Sequence, residues 1–493
     1  MKRIVLIITL LVPMFLKAQT PWDLYDFSSV IYQGTAKSAA MGNAIGAVGQ
    51  DFSAIAINPA GLGMFRKASF VFTPEFYVSS TNSEYQGNNR KDRAFKLPVN
   101  NVGLTWTNDI NDGTLKTVSF AIGMNRTNNY TYNSYVNGDN PHTSLVNAYI
   151  NELNSNNIFL PSELYNFSPN TIYPLYYTWV FDTIGPNEIT HSLVPSGGLN
   201  QQRGVVKRGR SHEITVASGL NFNDKCFLGF SINIPHFNRD MTTEYKEKNL
   251  SSGFFKSWSQ NEYMMSVGWG INAKIGVIAF PMKWLRLGWA FHTPTIYNID
   301  ESWYTKTYSK FDGQSFSYPS ETGTYSYTLV TPYRANASAA FIFGNFGMIT
   351  ADYELTDYTV MSASANDFNF DNVNDYIDDT FSITSNFRIG TEWRYQNLSF
   401  RGGYALYGGP YGLGDSRMRT NAFSCGLGYT FLGFSIDAAY VFSQRTNEYQ
   451  LYSNYSLYPA YYTDGGNQVV DDTNVKETTN MHQLVVSLRF RLD

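Results

Sequence analysis

Hydrophobic and polar residues alternate with a period of two along most of this chain, and the alternation restarts about a dozen times. From Glu262 to Val277, one face carries Tyr263, Met265, Val267, Trp269, Ile271, Ala273, Ile275 and Val277, and the other Glu262, Ser266, Gly268, Gly270, Asn272, Lys274 and Gly276. A soluble strand averages ~5–6 residues, so a run this long fits a strand that crosses a bilayer at a tilt. The pattern predicts strands over roughly 69–78, 101–108, 116–125, 212–222, 226–236, 262–279, 284–296, 332–344, 346–358, 382–395, 397–407, 419–431, 433–445 and 480–492. Short connections (108–113, 223–225, 280–283, 344–345, 396, 432–433) alternate with long ones (79–100, 126–211, 237–261, 297–331, 359–381, 408–418, 446–479). The expected fold is all-β: a transmembrane antiparallel β-barrel of about 14 strands, with short turns and both termini on the periplasmic side.

Parity assigns the faces. Leu285, Leu287, Trp289 and Phe291 should meet lipid, leaving Arg286, Gly288, Ala290 and His292 inside. Phe387, Ile389, Trp393 and Tyr395 should likewise face out, against Arg388, Gly390, Glu392 and Arg394. Arg334, Asp352, Glu354, Arg401, Asp437, Arg489 and Arg491 also fall on the inner parity. Charge on a lipid face costs ~2–4 kcal/mol at the midplane, so this segregation fits a wet, charged lumen. Each such charge either brace the wall or serve a ligand, and parity does not separate the two roles.

Composition agrees with a barrel. Aromatics make up 16% of the 493 residues while mean hydropathy stays negative, as expected of aromatic girdles combined with polar loops and lumen. The 36 basic and 40 acidic residues nearly balance and give no reason to expect nucleic acid as a partner. Lys2, Arg3 and the apolar run Ile4–Leu16 before Lys17-Ala18-Gln19 read as a signal peptide over 1–18. Residues 69–493 then form the barrel, and 19–68 an appendage. Cys226 and Cys425 both sit in expected strands, so no disulfide framework is evident.

The appendage is dense in small residues from Gly34 to Gly49 and continues through Asn58-Pro59-Ala60-Gly61, which suits a plug folded into the lumen from the periplasmic side. With Leu285–Pro294, Phe387–Trp393, Arg401–Tyr404, Gly426–Tyr429 and Phe434–Tyr440, this block resembles the FadL/OmpP1 outer-membrane transport family, in the Bacteroidetes form often labelled haemin receptor. The last strand, Met481–Asp493, resembles the signal by which the barrel assembly machinery recognises its substrates, although its aromatic is at Phe490.

The resemblance implies a 14-strand barrel in the outer membrane of a Gram-negative bacterium. It implies passive uptake of hydrophobic small molecules, most of all long-chain fatty acids, through an outer-loop groove, a lumen pocket and a moving hatch. By the same resemblance Asn58, Pro59, Ala60 and Gly61 form the hatch motif, for which a structural turn is the plainer role. Ile158, Phe159, Leu160, Tyr176 and Trp179 are candidates for the outer groove, and His292, Arg334, Arg388 and Arg401 for a ligand carboxylate in the lumen. Arg203, Lys207, Arg208 and Arg210 are candidates for lipopolysaccharide or a carboxylate, or a solvated loop face. No cofactor or metal is expected. Alternatives are haemin or another hydrophobic compound, and a non-transporting barrel serving protein secretion. An enzyme is disfavoured because no nucleophile motif stands beside His292 or His482.

Overall fold

The computed structural model describes residues 20–158, 160–183, 189–366, 368–412, 415–452 and 473–492. The expected signal peptide, 1–18, lies outside the described residues. From Ala68 onward the chain builds one closed antiparallel barrel of 14 wall strands. In chain order these are β1 (Ala68–Tyr85), β2 (Asn88–Lys96 and Val99–Asp112), β3 (Leu115–Asn128 and Tyr132–Asn140), β4 (Leu199–Phe222) and β5 (Cys226–Asn249). Next come β6 (Phe255–Met282), β7 (Leu285–His292 and Ile296–Phe311), β8 (Gly323–Val330 and Arg334–Phe343), β9 (Gly347–Asp357) and β10 (Ile383–Tyr395). The wall is completed by β11 (Leu398–Tyr407), β12 (Thr420–Phe431), β13 (Phe434–Gln450) and β14 (Asn474–Leu492). β14 returns to β1, with Ala68 opposite Leu492 and Glu84 opposite Lys476. Closure gives every strand two neighbours, so the sheet has no free edge to present to lipid.

The faces follow parity. Met265, Trp269, Ile271 and Ile275 of β6 are exposed while Ser266 and Lys274 are buried, and on β7 Trp289 is 48% exposed against 5% for His292. This outward apolar band is the lipid-facing surface. No helix among the described residues is long and apolar enough to cross a membrane. Arg491, placed inside by parity, is exposed at the rim, because the wall ends at Leu492.

Short turns collect at one end, including Gly113-Thr114, Asn223–Lys225, Gln396-Asn397 and Leu432-Gly433. Asn223 and Asp224 adopt φ of 53° and 59°, a left-handed pair that Asn and Asp tolerate better than other side chains with a Cβ. The opposite end differs from the sequence-based expectation. Much of the expected loops 79–100, 126–211, 237–261, 297–331 and 446–479 is strand: β4 and β5 each run 24 residues and β6 runs 28. Beyond the bilayer the outer face of a strand meets water instead of lipid, so a stretch such as Trp303-Tyr304-Thr305-Lys306-Thr307-Tyr308 keeps the β-branched and aromatic content of a strand but loses the apolar alternation. β7 and β8 are each interrupted next to a proline, Pro294 and Pro332, which lack the N–H a ladder needs.

Helices close this outer end. α4 (Leu145–Ser155), α5 (Pro161–Phe167) and α6 (Tyr173–Tyr177) pack Val146, Leu153, Leu164 and Leu175 against Phe181 and Trp258 in one buried cluster. The segment before β1 lies inside the barrel and comprises α1 (Pro21–Ser28), α2 (Ala36–Ala40), α3 (Ala54–Ile57) and a 3₁₀ turn, Pro59–Met64. It does not rise from the periplasmic end as expected: α1 sits high in the lumen, and the chain descends from there to β1. The apolar side of α1 explains this, since Leu24, Tyr25 and Phe27 are buried with Phe237, Tyr297 and Phe381 of the upper wall.

Candidate functional site: a chamber above a seated plug

At the lower level the N-terminal segment approaches the wall through glycines. Gly219, Gly229 and Gly276 lie side by side on β4, β5 and β6. A Cβ at Gly219 would strike the backbone of Leu62 and Gly63, one at Gly229 the backbone of Pro59 and Ala60, and one at Gly276 the side-chain oxygen of Asn58. Gly288, Gly390 and Gly403 give the same access to the backbone at Gly46, Met41 and Gly42. Glycine at the inward parity of successive strands was the available sequence signal for this seat, and the alternation analysis passed over it.

Asn58-Pro59-Ala60-Gly61 lies across the first of these rows. The Asn58 side-chain oxygen accepts from Ala60 N at 3.1 Å, capping the 3₁₀ turn that Pro59 begins. Its Nδ2 donates to Gly46 O at 2.9 Å and to Val277 O at 3.2 Å. One side chain thus ties the turn, the rest of the segment and the wall together.

The four lumen bases named from sequence surround the same segment. His292 Nε2 is 2.8 Å from Ile57 O, and the Arg334 guanidinium donates to Ser28 O at 2.5 Å. Arg388 lies 3.4 Å from Glu354 and 3.9 Å from Asp352, all three fully buried, and Asp352 in turn accepts from Gly46 N at 3.0 Å. Arg401 bridges Glu392 and Asp437, at 2.6 Å each. Lys274 adds a contact that sequence analysis did not single out, pairing with Glu213 while donating to Ala56 O at 3.1 Å.

α1 is held higher up by charge. Arg239, fully buried, contacts Asp23 at 2.6 Å, and Lys207 contacts Asp26 at 2.9 Å. Burial alone would raise the Asp26 pKa, but Lys207 and Arg239 outweigh it and hold the carboxyl below its ordinary value. A depressed folded-state pKa contributes stability that is fully present above the unfolded value of ~3.9 and is lost as pH falls through the folded one. Amide protection factors across Asp23–Ser28 should therefore stay constant from neutral pH down to about pH 4 and fall only below it. Loosening already near pH 6 would show that this pair does not anchor the helix.

Between α1 and the outer helices lies a cavity of about 340 Å³, within the ~300–1,000 Å³ range of small-molecule sites. Trp22, Tyr25 and Asp26 contribute to its floor, Leu145, Tyr149 and Phe167 to its roof, and Tyr130, Met264, Tyr407, Arg445 and Tyr449 to its sides. None of His292, Arg334, Arg388 and Arg401 lines it. Of the basic cluster, Arg203 and Lys207 line the cavity, whereas Arg208 and Arg210 are exposed on the alternate parity of β4, above Ile214. The groove candidates also divide: Leu160 and Trp179 are exposed on the outer helices, Ile158 and Tyr176 pack against their core, and Phe159 lies outside the described residues.

A closed 14-strand transmembrane barrel, with its N-terminal segment seated inside beneath a chamber, defines a plugged channel architecture. Solved structures of that architecture are similar over nearly their whole lengths. A FadL homologue of Pseudomonas aeruginosa matches with a TM-score of 0.56 at 12% identity, covering 94% of this chain and 99% of that one. The toluene transporter TodX of P. putida matches with a TM-score of 0.53 at 12% identity over 95% and 99% of the two chains. The toluene transporter TbuX of Ralstonia pickettii matches with 0.50 at 14% identity over 95% and 100%. The chain has the FadL-type fold. No protein-family model matches its sequence, and no curated protein does.

Proposed function

We propose that this protein is an outer-membrane channel for passive uptake of hydrophobic small molecules that carry a polar end, long-chain fatty acids among them. The observation that carries this is the chamber of about 340 Å³, set on the barrel interior between an outer helical cover and a plug held by identifiable bonds. In the proposed sequence, ligand is first gathered on the exposed outer aromatics, with Leu160 and Trp179 at the surface. It then enters the chamber among Met241, Met264 and Met418, whose unbranched side chains adapt to different shapes. Release toward the periplasm follows when the Asn58-Pro59-Ala60-Gly61 turn leaves its glycine seat. The FadL-type fold and the ligands named for TodX and TbuX support a hydrophobic cargo. Among the described residues no histidine lines the chamber, which leaves haemin only Tyr or Met as an axial ligand there.

The test is displacement of a fluorescent long-chain fatty acid from the detergent-purified protein, with oleate and haemin as competitors. Saturable displacement by oleate but not haemin is expected, and Met264→Trp, which fills the chamber, should weaken it by about tenfold or more. Asn58→Ala acts below the chamber and should leave equilibrium affinity within a factor of a few. Binding of neither competitor would overturn the channel assignment and favour the secretion scaffold.

A further inference from the structure

Within that proposed function, on which this inference rests, the chamber's chemistry narrows the ligand. Its wall is built from tyrosine more than from aliphatic residues, with Tyr25, Tyr130, Tyr149, Tyr245, Tyr407 and Tyr449 among the lining. Rings of this kind offer flat faces for offset stacking and hydroxyls for hydrogen bonding. Tyr25 and Tyr149 make no hydrogen bond through their hydroxyls among the described residues, although each is more than nine-tenths buried. A saturated alkyl chain would leave those hydroxyls without a partner, which a buried polar group resists.

The charges of the chamber are also sorted. Lys207 is committed to Asp26, and Arg203 lies against the ring of Tyr449, 5.6 Å from its centroid. Glu477 accepts from Tyr449 and Ser83 at 2.9 and 3.2 Å. Arg445 differs. It sits on the inward parity of β13, opposite Thr420 and Thr479, and has no hydrogen-bond or ion-pair partner among the described residues, its Nε being buried. Its field reaches Tyr25 and Asp26 of α1, which places it near the floor. Glu262 on β6 also lines the chamber without a hydrogen-bond or ion-pair partner among the described residues, and it interacts electrostatically with Asp23 of α1 and with Arg203 as well as with Tyr149 of α4, so it belongs to neither end alone. Arg445 is therefore the chamber cation left uncommitted among the described residues.

We infer that the chamber selects an aromatic anion: a ligand with a ring body held among the tyrosines and a carboxylate, or a group of like charge and size, paired with Arg445 above the plug. A guanidinium with its Nε cut off from solvent and no counter-ion is costly, and a planar oxyanion matches its forked donors. An aromatic body supplies stacking surface and π faces toward which the Tyr25 and Tyr149 hydroxyls can point, which an alkyl chain lacks. Orientation follows from Arg445, which draws the carboxylate toward α1 and the floor.

The experiment is calorimetric titration of the full-length, detergent-purified protein with 2-naphthoate, 2-naphthylmethanol and undecanoate. These probes separate ring from charge at a similar carbon count. 2-Naphthoate should bind about tenfold or more tightly than either of the others. Arg445→Gln should reduce 2-naphthoate affinity by about tenfold, Arg445→Lys should restore part of it, and neither should change 2-naphthylmethanol binding by more than a factor of a few. Heat-modifiable migration of each variant on a gel reports that the barrel is folded. Undecanoate binding as tightly as 2-naphthoate would overturn the ring requirement, and unchanged 2-naphthoate binding in Arg445→Gln would overturn the role of the arginine. If oleate displaces the fluorescent fatty acid in the earlier assay while all three probes fail here, this inference falls and the channel stands; if oleate and haemin also fail there, the channel falls with it.

Discussion

Gly229→Val should unseat the plug and open the barrel. The Cβ of any residue at this position falls on the backbone of Pro59 and Ala60, and backbone cannot rotate away as the tip of a long side chain can. Its neighbours across the sheet, Gly219 and Gly276, are equally close to Gly63 and Asn58, so the turn has no free space on either side into which to slide. Overpacking a close-packed site costs ~1–3 kcal/mol. Here relief requires displacing the turn, which breaks the Asn58 bonds to Gly46 O and Val277 O. In planar bilayers the parent should show little conductance and Gly229→Val should show long-lived openings, with the Asn58→Ala single variant between them. Gly402→Ala is the control, because a Cβ there comes no nearer than 3.9 Å to any neighbour. A Gly229→Val channel as quiet as the parent, with an intact barrel, would show that the glycine row does not seat the plug.

The glycine row also shows where sequence sufficed. Each lipid-facing position carries its own evidence, an apolar residue at the right parity, so Leu287, Trp289, Phe387 and Trp393 were placed correctly without reference to any other strand. The final strand and the closure it makes with β1 were legible for the same reason. What a lumen residue touches is a different kind of fact, set by segments hundreds of positions away. His292 meets Ile57, 235 residues earlier, and Arg334 meets Ser28, 306 residues earlier. Parity could place both side chains inside, but not against the plug.

The chamber was missed for a second reason. Arg203, Lys207, Met241, Tyr245, Trp303, Tyr449 and Glu477 all lie in stretches read as loops, and all belong to wall strands that continue past the membrane. Above the lipid, selection for an apolar outer face ends, and the period-two signal ends with it. Strand identity persists there in the Thr, Tyr and Val content and in the ladder with neighbouring strands. The chamber of this barrel sits where the signal that reveals the barrel is weakest.

The second large effect concerns Arg388. Its guanidinium is fully buried beside Glu354 and Asp352, also fully buried, and it lies 5.4 Å from the ring centroid of Tyr32 in the plug. Replacing it with methionine fills much of the volume but leaves two carboxylates facing each other without the guanidinium they share, although Arg334, farther off, still acts on Glu354. Breaking a buried ion pair by removing one partner costs ~3–5 kcal/mol. The loss should appear as a lower urea midpoint for barrel unfolding at neutral pH, together with faster proteolysis of the plug, since Asp352 also holds Gly46 N at 3.0 Å. The triple variant Arg388→Met, Asp352→Asn, Glu354→Gln removes the uncompensated charge and should recover most of the stability. It keeps a hydrogen-bond acceptor at position 352 for Gly46. Recovery in the triple variant assigns the loss in Arg388→Met to buried charge, and a triple variant as unstable as the single one would assign it to lost packing instead. Ligand affinity provides the independent check. Because Arg388 lies outside the chamber, the folded fraction of Arg388→Met should bind 2-naphthoate within a factor of a few of the parent. A large loss of affinity in that folded fraction would return Arg388 to the list of carboxylate ligands from which its geometry removes it.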